Sequence, residues 1–213
     1  MSADVDAAAR AHLRQQDPKL ALWMERIGDL PLPKPERFAV VHALARSIIY
    51  QQLNGRAAET IFGRLQQTVG GRSVTALALQ KADETALRAA GVSGAKTRAL
   101  KDLAEHARAK RLPTVDDLHT MDDDSAIERL TVVRGVGPWT VQMLLIFRMG
   151  RVDVLPVSDY GVRAGAQLVH QLETMPSHAE LAALGEYWRP YRSLASMYLW
   201  RAVDSAKGAK NCT

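Results

Sequence analysis

Gly135 and Gly137 stand two apart, Pro138 and Trp139 follow directly, and Asp159 comes twenty residues after the tryptophan. These residue types at this spacing can bind an anion and hold a carboxylate beside it. Two such glycines let a chain leaving one helix turn sharply without a Cβ clash. Pro138 fits the first position of the next helix, where its missing N–H costs nothing. The run Leu130-Thr-Val-Val-Arg-Gly-Val-Gly-Pro-Trp-Thr-Val-Gln-Met143 therefore reads as helix, hairpin, helix. Backbone N–H groups of Gly135, Val136 and Gly137, and of the following turn through Thr140, are then offered to a phosphate, favoured by the positive end of the helix dipole. The plain alternative is a glycine-containing turn between two packed helices. Asp159 opens the next predicted helix and on its own reads as an N-cap; with Ser158 as the cap instead, its carboxylate would be free to face a cleft.

Other chemical patterns are excluded. Gly91-Val-Ser-Gly-Ala-Lys-Thr97 lacks the adjacent Gly-Lys and the preceding strand of a phosphate loop. The acidic run Asp122–Asp124 lacks the spacing of a calcium loop and serves as helix N-terminal charge. The six histidines never pair at helical spacing, so no metal site is expected. The lone cysteine, Cys212, makes no internal disulfide and suits a reducing cytoplasm.

The elements that must position these residues are helical. Phe38, Val41, Ala45, Ile48 and Ile49 form one stripe between Glu36 and Gln52, and Leu100, Leu103, Ala104 and Ala107 form another. Ser125 with Glu128 signals a capping box. Val141 to Phe147 is apolar nearly all round and predicts a helix buried centrally. A last helix runs from about Pro190 to Ala206, with Leu194, Tyr198, Leu199, Trp200 and Val203 on its apolar side. Trp23 and Trp188 read as packing residues. Val152, Val154 and Val157 alternate, but Pro156 makes that stretch an extended connector rather than a strand. The expectation is an all-α fold of about ten helices in two lobes around a central cleft. Residues 1–35 form N-terminal helices and a proline-rich connector, and 36–213 the main domain, folding as one unit with them.

The 213 residues are 47% hydrophobic and 24% charged, enough to fill a core, which excludes a disordered or fibrous chain. No apolar run reaches the roughly 20 residues of a membrane helix, and no secretory signal is visible. A net charge of +5 suits a polyanionic partner without demonstrating one.

Five segments in order resemble DNA glycosylases of the helix–hairpin–helix superfamily, specifically the DNA-3-methyladenine glycosylase II (AlkA-like) branch. They are Ile48-Ile-Tyr-Gln-Gln-Leu53, Gly91–Leu100, Gly135-Val-Gly-Pro-Trp-Thr140, Pro156-Val-Ser-Asp-Tyr-Gly-Val-Arg163, and Tyr191–Trp200. The resemblance begins at about Phe38, and the roughly 35 residues before it are too few for the N-terminal β-rich domain of longer members. The resemblance implies flipping of an alkylated base from double-stranded DNA and hydrolysis of its bond to the sugar, leaving an abasic site for base excision repair. Asp159 matches the catalytic aspartate; Trp139, Trp200, Met143 and Tyr160 match the base pocket. Gln52 or Leu53 supplies the wedge that fills the gap left by the base. Members that also cut the strand carry a lysine where Trp139 stands, so no lyase activity is expected. Met143 departs from an aromatic found in some relatives, and Ser158 from a second acid. No cofactor is implied; a monovalent or other cation on the hairpin carbonyls is compatible with the motif. A monomer is expected. The alternative from another class is a helix–hairpin–helix protein that binds DNA or lesions without catalysis, for which Asp159 would be unnecessary.

Overall fold

Local caps decide where the helices of this chain begin. Asp17, Asn54, Thr75, Asp83, Ser93, Thr114, Asp122, Asp159 and Ser177 each place a side-chain oxygen against a backbone N–H of the following turn. Each satisfies one of the donors a helix start leaves unpaired, worth about 1 kcal/mol. The computed structural model describes residues 2–210; Cys212 lies outside them. Among the described residues there are thirteen α-helices, one 3₁₀ turn and no strand.

The helices are α1 (Ser2–Gln16), α2 (Pro18–Ile27), α3 (Val40–Tyr50), α4 (Gly55–Thr68), α5 (Ala76–Lys81), α6 (Glu84–Ala89) and α7 (Gly94–Arg108). Then come α8 (Val115–Thr120), α9 (Asp123–Thr131), α10 (Pro138–Phe147), α11 (Tyr160–His170), α12 (His178–Gly185), the 3₁₀ turn Glu186–Trp188 and α13 (Arg192–Lys210). The chain carries more helices than periodicity predicts because α5, α6 and α8 have six residues each, too short for a 3.6-residue period to show. Two boundaries also differ. Helix α3 starts at Val40, behind the proline-rich connector. Helix α9 is capped by Asp122, whose carboxylate accepts the Ser125 N–H, so Ser125 lies inside the helix rather than capping it.

Residues 1–36 and 145–213 form one compact unit and residues 37–144 the other. The first is built on a core of α1, α2, α11, α12, the 3₁₀ turn and α13, including Leu13, Leu20, Met24, Val162, Leu181, Trp188, Tyr198 and Leu199. Each such side chain contributes about 1.5–3 kcal/mol on burial. Helices α11 and α13 approach closely because Gly165 has no side chain: a Cβ there would stand 2.4 Å from the Leu199 carbonyl oxygen. The second unit buries Leu44, Ile48 and Ile49 of α3, Phe62 and Leu65 of α4, Leu100 and Leu103 of α7 and Leu130 of α9. No helix among the described residues is long and apolar enough to cross a membrane.

Candidate functional site

In the first unit, Asp159 is placed by a connector strapped to the start of α13. Ser193 donates its N–H to the Val152 carbonyl at 3.0 Å and its hydroxyl to the Arg151 carbonyl at 2.7 Å, while the Val154 N–H donates to Ser193 Oγ at 3.0 Å. Arg192 closes the strap through Nε on Asp153 Oδ1 at 2.8 Å. The extended stretch ends where the Asp159 N–H reaches the Pro156 carbonyl at 2.9 Å. Asp159, not Ser158, then caps α11. Its Oδ1 accepts the Val162 N–H at 2.7 Å and the indole N–H of Trp200, from α13, at 2.8 Å.

Trp200 is half-buried rather than a core residue, and its ring stacks on Phe147 with centroids 5.8 Å apart and planes 28° apart. Phe147, expected in a buried helix, is 40% exposed at the end of α10. The buried face of that helix is instead Val141, Leu144, Leu145 and Ile146. Of this aromatic pair, the half-buried indole meets the carboxylate and the phenyl ring stacked on it is exposed. Tyr160, the first residue of α11, is 71% exposed. Gly161 makes the close approach of Trp200 available: a Cβ there would lie 2.7 Å from Trp200 Cδ1 and 3.1 Å from Asp159 Oδ1. Neither Phe147 nor Gly161 stands out in the sequence. The Gly161/Gly165 spacing of four on one helix was the available signal for the second.

In the other unit, the hairpin between α9 and α10 sorts its own backbone donors. The Arg134 N–H is taken by Asp102 Oδ2 at 2.7 Å and the Val136 N–H by the Val133 carbonyl at 3.0 Å. Among the described residues no acceptor stands against the N–H groups of Gly135 and Gly137. The donors open to an anion therefore alternate. Val136 and Thr140, expected at the nucleic-acid surface, are buried at 4% and 6% exposure: Val136 closes the hairpin over the core, and the first turn of α10 rotates Thr140 inward. Gly135 needs its residue type for a φ of +78°, whereas a Cβ on Gly137 would meet nothing within 4 Å. Trp139 is 43% exposed on the first turn of α10, and Met143 is half-buried one turn later. Gln52 and Leu53 are both exposed in the turn between α3 and α4, Gln52 with a left-handed φ of 57°. Among the described residues no group of three or more His, Cys, Asp or Glu is arranged to hold a metal ion.

The arrangement provides one fixed carboxylate beside exposed aromatic surface and, separately, two free backbone donors at a helix start. Residues 45–190 match the family model for the HhH-GPD superfamily of base excision DNA repair proteins. The chain is 32% identical to DNA-3-methyladenine glycosylase 1 of Schizosaccharomyces pombe over 204 residues, covering 95% of this chain and 90% of that one. Among solved structures it is similar to the S. pombe 3-methyladenine DNA glycosylase in complex with abasic DNA, with a TM-score of 0.80 and 31% identity over 91% of this chain and 95% of that one. It is also similar to a DNA-3-methyladenine glycosidase from Bacillus halodurans, with a TM-score of 0.79 and 35% identity over 89% and 86% of the two chains.

Proposed function

We propose, for a chain that belongs to the HhH-GPD superfamily of base excision DNA repair proteins, that it is a monofunctional DNA glycosylase acting on alkylated bases such as 3-methyladenine. The observation that carries this reading is Asp159, held at the start of α11 by two N–H donors beside the stacked Trp200 and Phe147 rings. Cleavage of the bond between base and C1′ leaves its electron pair with the base and develops positive charge on the sugar. A fixed carboxylate stabilises that charge and can take the proton of the water that adds to C1′. An alkylated purine such as 3-methyladenine is already cationic, so the departing base is neutral and needs no acid. Exposed Trp139 offers such a base a cation–π face worth about 0.5–2 kcal/mol. Its indole cannot form an imine with the sugar, which supports hydrolysis without strand cleavage.

Double-stranded DNA is the partner, held by the Gly135 and Gly137 N–H groups, with the exposed Gln52–Leu53 turn as the intercalating element. The reaction requires no cofactor, and the enzyme works as a cytoplasmic monomer. The test is release of free bases from alkylated duplex DNA, identified chromatographically. Methylated purines should appear while the strand stays intact until alkali is added. Absence of any released base would refute the activity, and a borohydride-trapped covalent complex with DNA would refute its monofunctional character.

A further inference from the structure

The hairpin's two free donors depend on how its peptide planes are turned, and one side chain outside the hairpin sets one of them. Gln51 donates Nε2 to the Gly135 carbonyl oxygen at 2.8 Å, across 84 positions of sequence. In a trans peptide the Gly135 carbonyl and the Val136 N–H point in opposite directions. Holding the carbonyl toward Gln51 therefore turns the Val136 N–H back to the Val133 carbonyl, 3.0 Å away, and steadies the hairpin whose Gly135 and Gly137 N–H groups have no acceptor among the described residues.

Gln51 is itself held. Lys96, in the first turn of α7, donates Nζ to the Ile49 carbonyl at 2.7 Å and to the Gln51 carbonyl at 2.9 Å. These are carbonyls that the end of α3 leaves without a helical partner, and a cation is the favoured cap for them. Partial burial pushes the Lys96 amine below its ordinary value, yet the two acceptors need a donor there. The next two residues are Gln52 and Leu53. The same residue thus joins the exposed turn to the hairpin.

We propose that Gln51, braced by Lys96, is a positioning residue that fixes the hairpin's phosphate-binding donors and the exposed Gln52–Leu53 turn as one preorganised DNA-binding surface. This rests on the proposed DNA-binding function but not on base excision.

The test uses the full chain with Gln51→Met, Gln51→Glu, Lys96→Met and Lys96→Arg, and two duplexes, one undamaged and one carrying a tetrahydrofuran abasic analogue. Gln51→Met keeps the length of the side chain and removes the donor, so affinity for both duplexes should fall about three- to tenfold. Gln51→Glu, which sets a carboxylate against the carbonyl, should fall further. Lys96→Met should follow Gln51→Met, and Lys96→Arg should restore most of the affinity. Hydrogen exchange at the peptide spanning 131–138 should speed up in Gln51→Met while the melting temperature holds, a local signature that a general packing role would not give. Unchanged affinity and exchange in Gln51→Met would overturn the proposal. So would affinity losses that merely track melting temperature across the four variants. Failure of the wild-type protein to release bases, with these affinities as expected, would refute the glycosylase reading alone.

Discussion

Replacing Asp159 with Asn separates chemistry from architecture because the two N–H donors on Oδ1 can be kept while the charge is removed. The Val162 N–H at 2.7 Å and the Trp200 N–H at 2.8 Å both find an amide oxygen in the variant. Asn caps a helix about as well as Asp, so the melting temperature should stay within about 2 °C. The rate of base release should fall at least about a hundredfold, roughly 2.7 kcal/mol of barrier. Asp159→Ala is the control for architecture. It loses the cap, about 1 kcal/mol, and strands a half-buried indole N–H at about 1 kcal/mol more. A total of about 2 kcal/mol lowers the melting temperature of a chain this size by about 4–8 °C. The assay is single-turnover base release with thermal melting and abasic-DNA binding on the same preparations. A stable Asn variant that keeps its rate would refute the catalytic role and leave Asp159 as a cap alone.

Gly137→Val should weaken duplex binding about tenfold or more through a blocked N–H donor, with the helical spectrum intact, since a Cβ there meets no protein atom; unaltered affinity would remove Gly137 from the interface. Gly161→Ala drives a methyl to 2.7 Å from Trp200 Cδ1 and should lower the excision rate about tenfold with little change in affinity for undamaged DNA; full activity would show that the Trp200–Asp159 contact is dispensable. Asp17 governs acid stability. Burial pushes its carboxyl up, but contacts from His170, the Leu20 N–H and Trp188 outweigh this and hold it below the ordinary 3.8. His170 Nε2 stands 3.3 Å from Asp17 Oδ2, an ion-pair distance without hydrogen-bond alignment, and Trp188 Nε1 donates at 2.7 Å. A carboxylate depressed in the folded state stabilises it above the unfolded value and loses that contribution as pH falls through the folded one. The melting temperature of the wild-type chain should therefore drop more steeply below about pH 4 than that of Asp17→Asn, and parallel curves would refute the assignment.

The residues that were legible in the sequence owe their geometry to near neighbours. Asp159 is readable as a cap because capping is decided within three residues, and Gly135 as a turn because its positive φ is local. What the sequence left open was whether capping excludes a second role, and the structure shows Oδ1 serving α11 and the Trp200 indole together. The exposure of Phe147 is not legible because a run that is apolar on every side has no period to tell which face is covered, and its stacking partner, Trp200, lies fifty-three residues away. The Gln51–Gly135 bond and the need for Gly161 are equally non-local. Val136 and Thr140 turn inward for a rotational reason: the covered positions Val133, Val136 and Thr140 recur every three to four residues, and the positions between them face outward or are partly covered.

The carboxylate proposed for chemistry and the backbone donors proposed for grip lie on different parts of the chain. Asp159, Trp200, Phe147 and Gly161 belong to the unit formed by residues 1–36 and 145–213, whereas Gly135, Gly137, Gln51 and Lys96 belong to residues 37–144. The first group is built from side chains, a carboxylate and aromatic rings, whose identity can discriminate one base from another. In the second, the side chains of Gln51 and Lys96 brace backbone N–H groups of the kind that recognise phosphate and carry no sequence information, and the same stretch also carries Trp139, the aromatic face proposed for the base. A repair enzyme must bind any duplex yet cleave at few nucleotides, and under the proposed function this separation meets both demands: backbone donors suit any sequence, and a carboxylate acts only on a nucleotide delivered to it. Selectivity then rests on how readily a base leaves the stack and how well its cation is received, and damaged, positively charged bases satisfy both conditions.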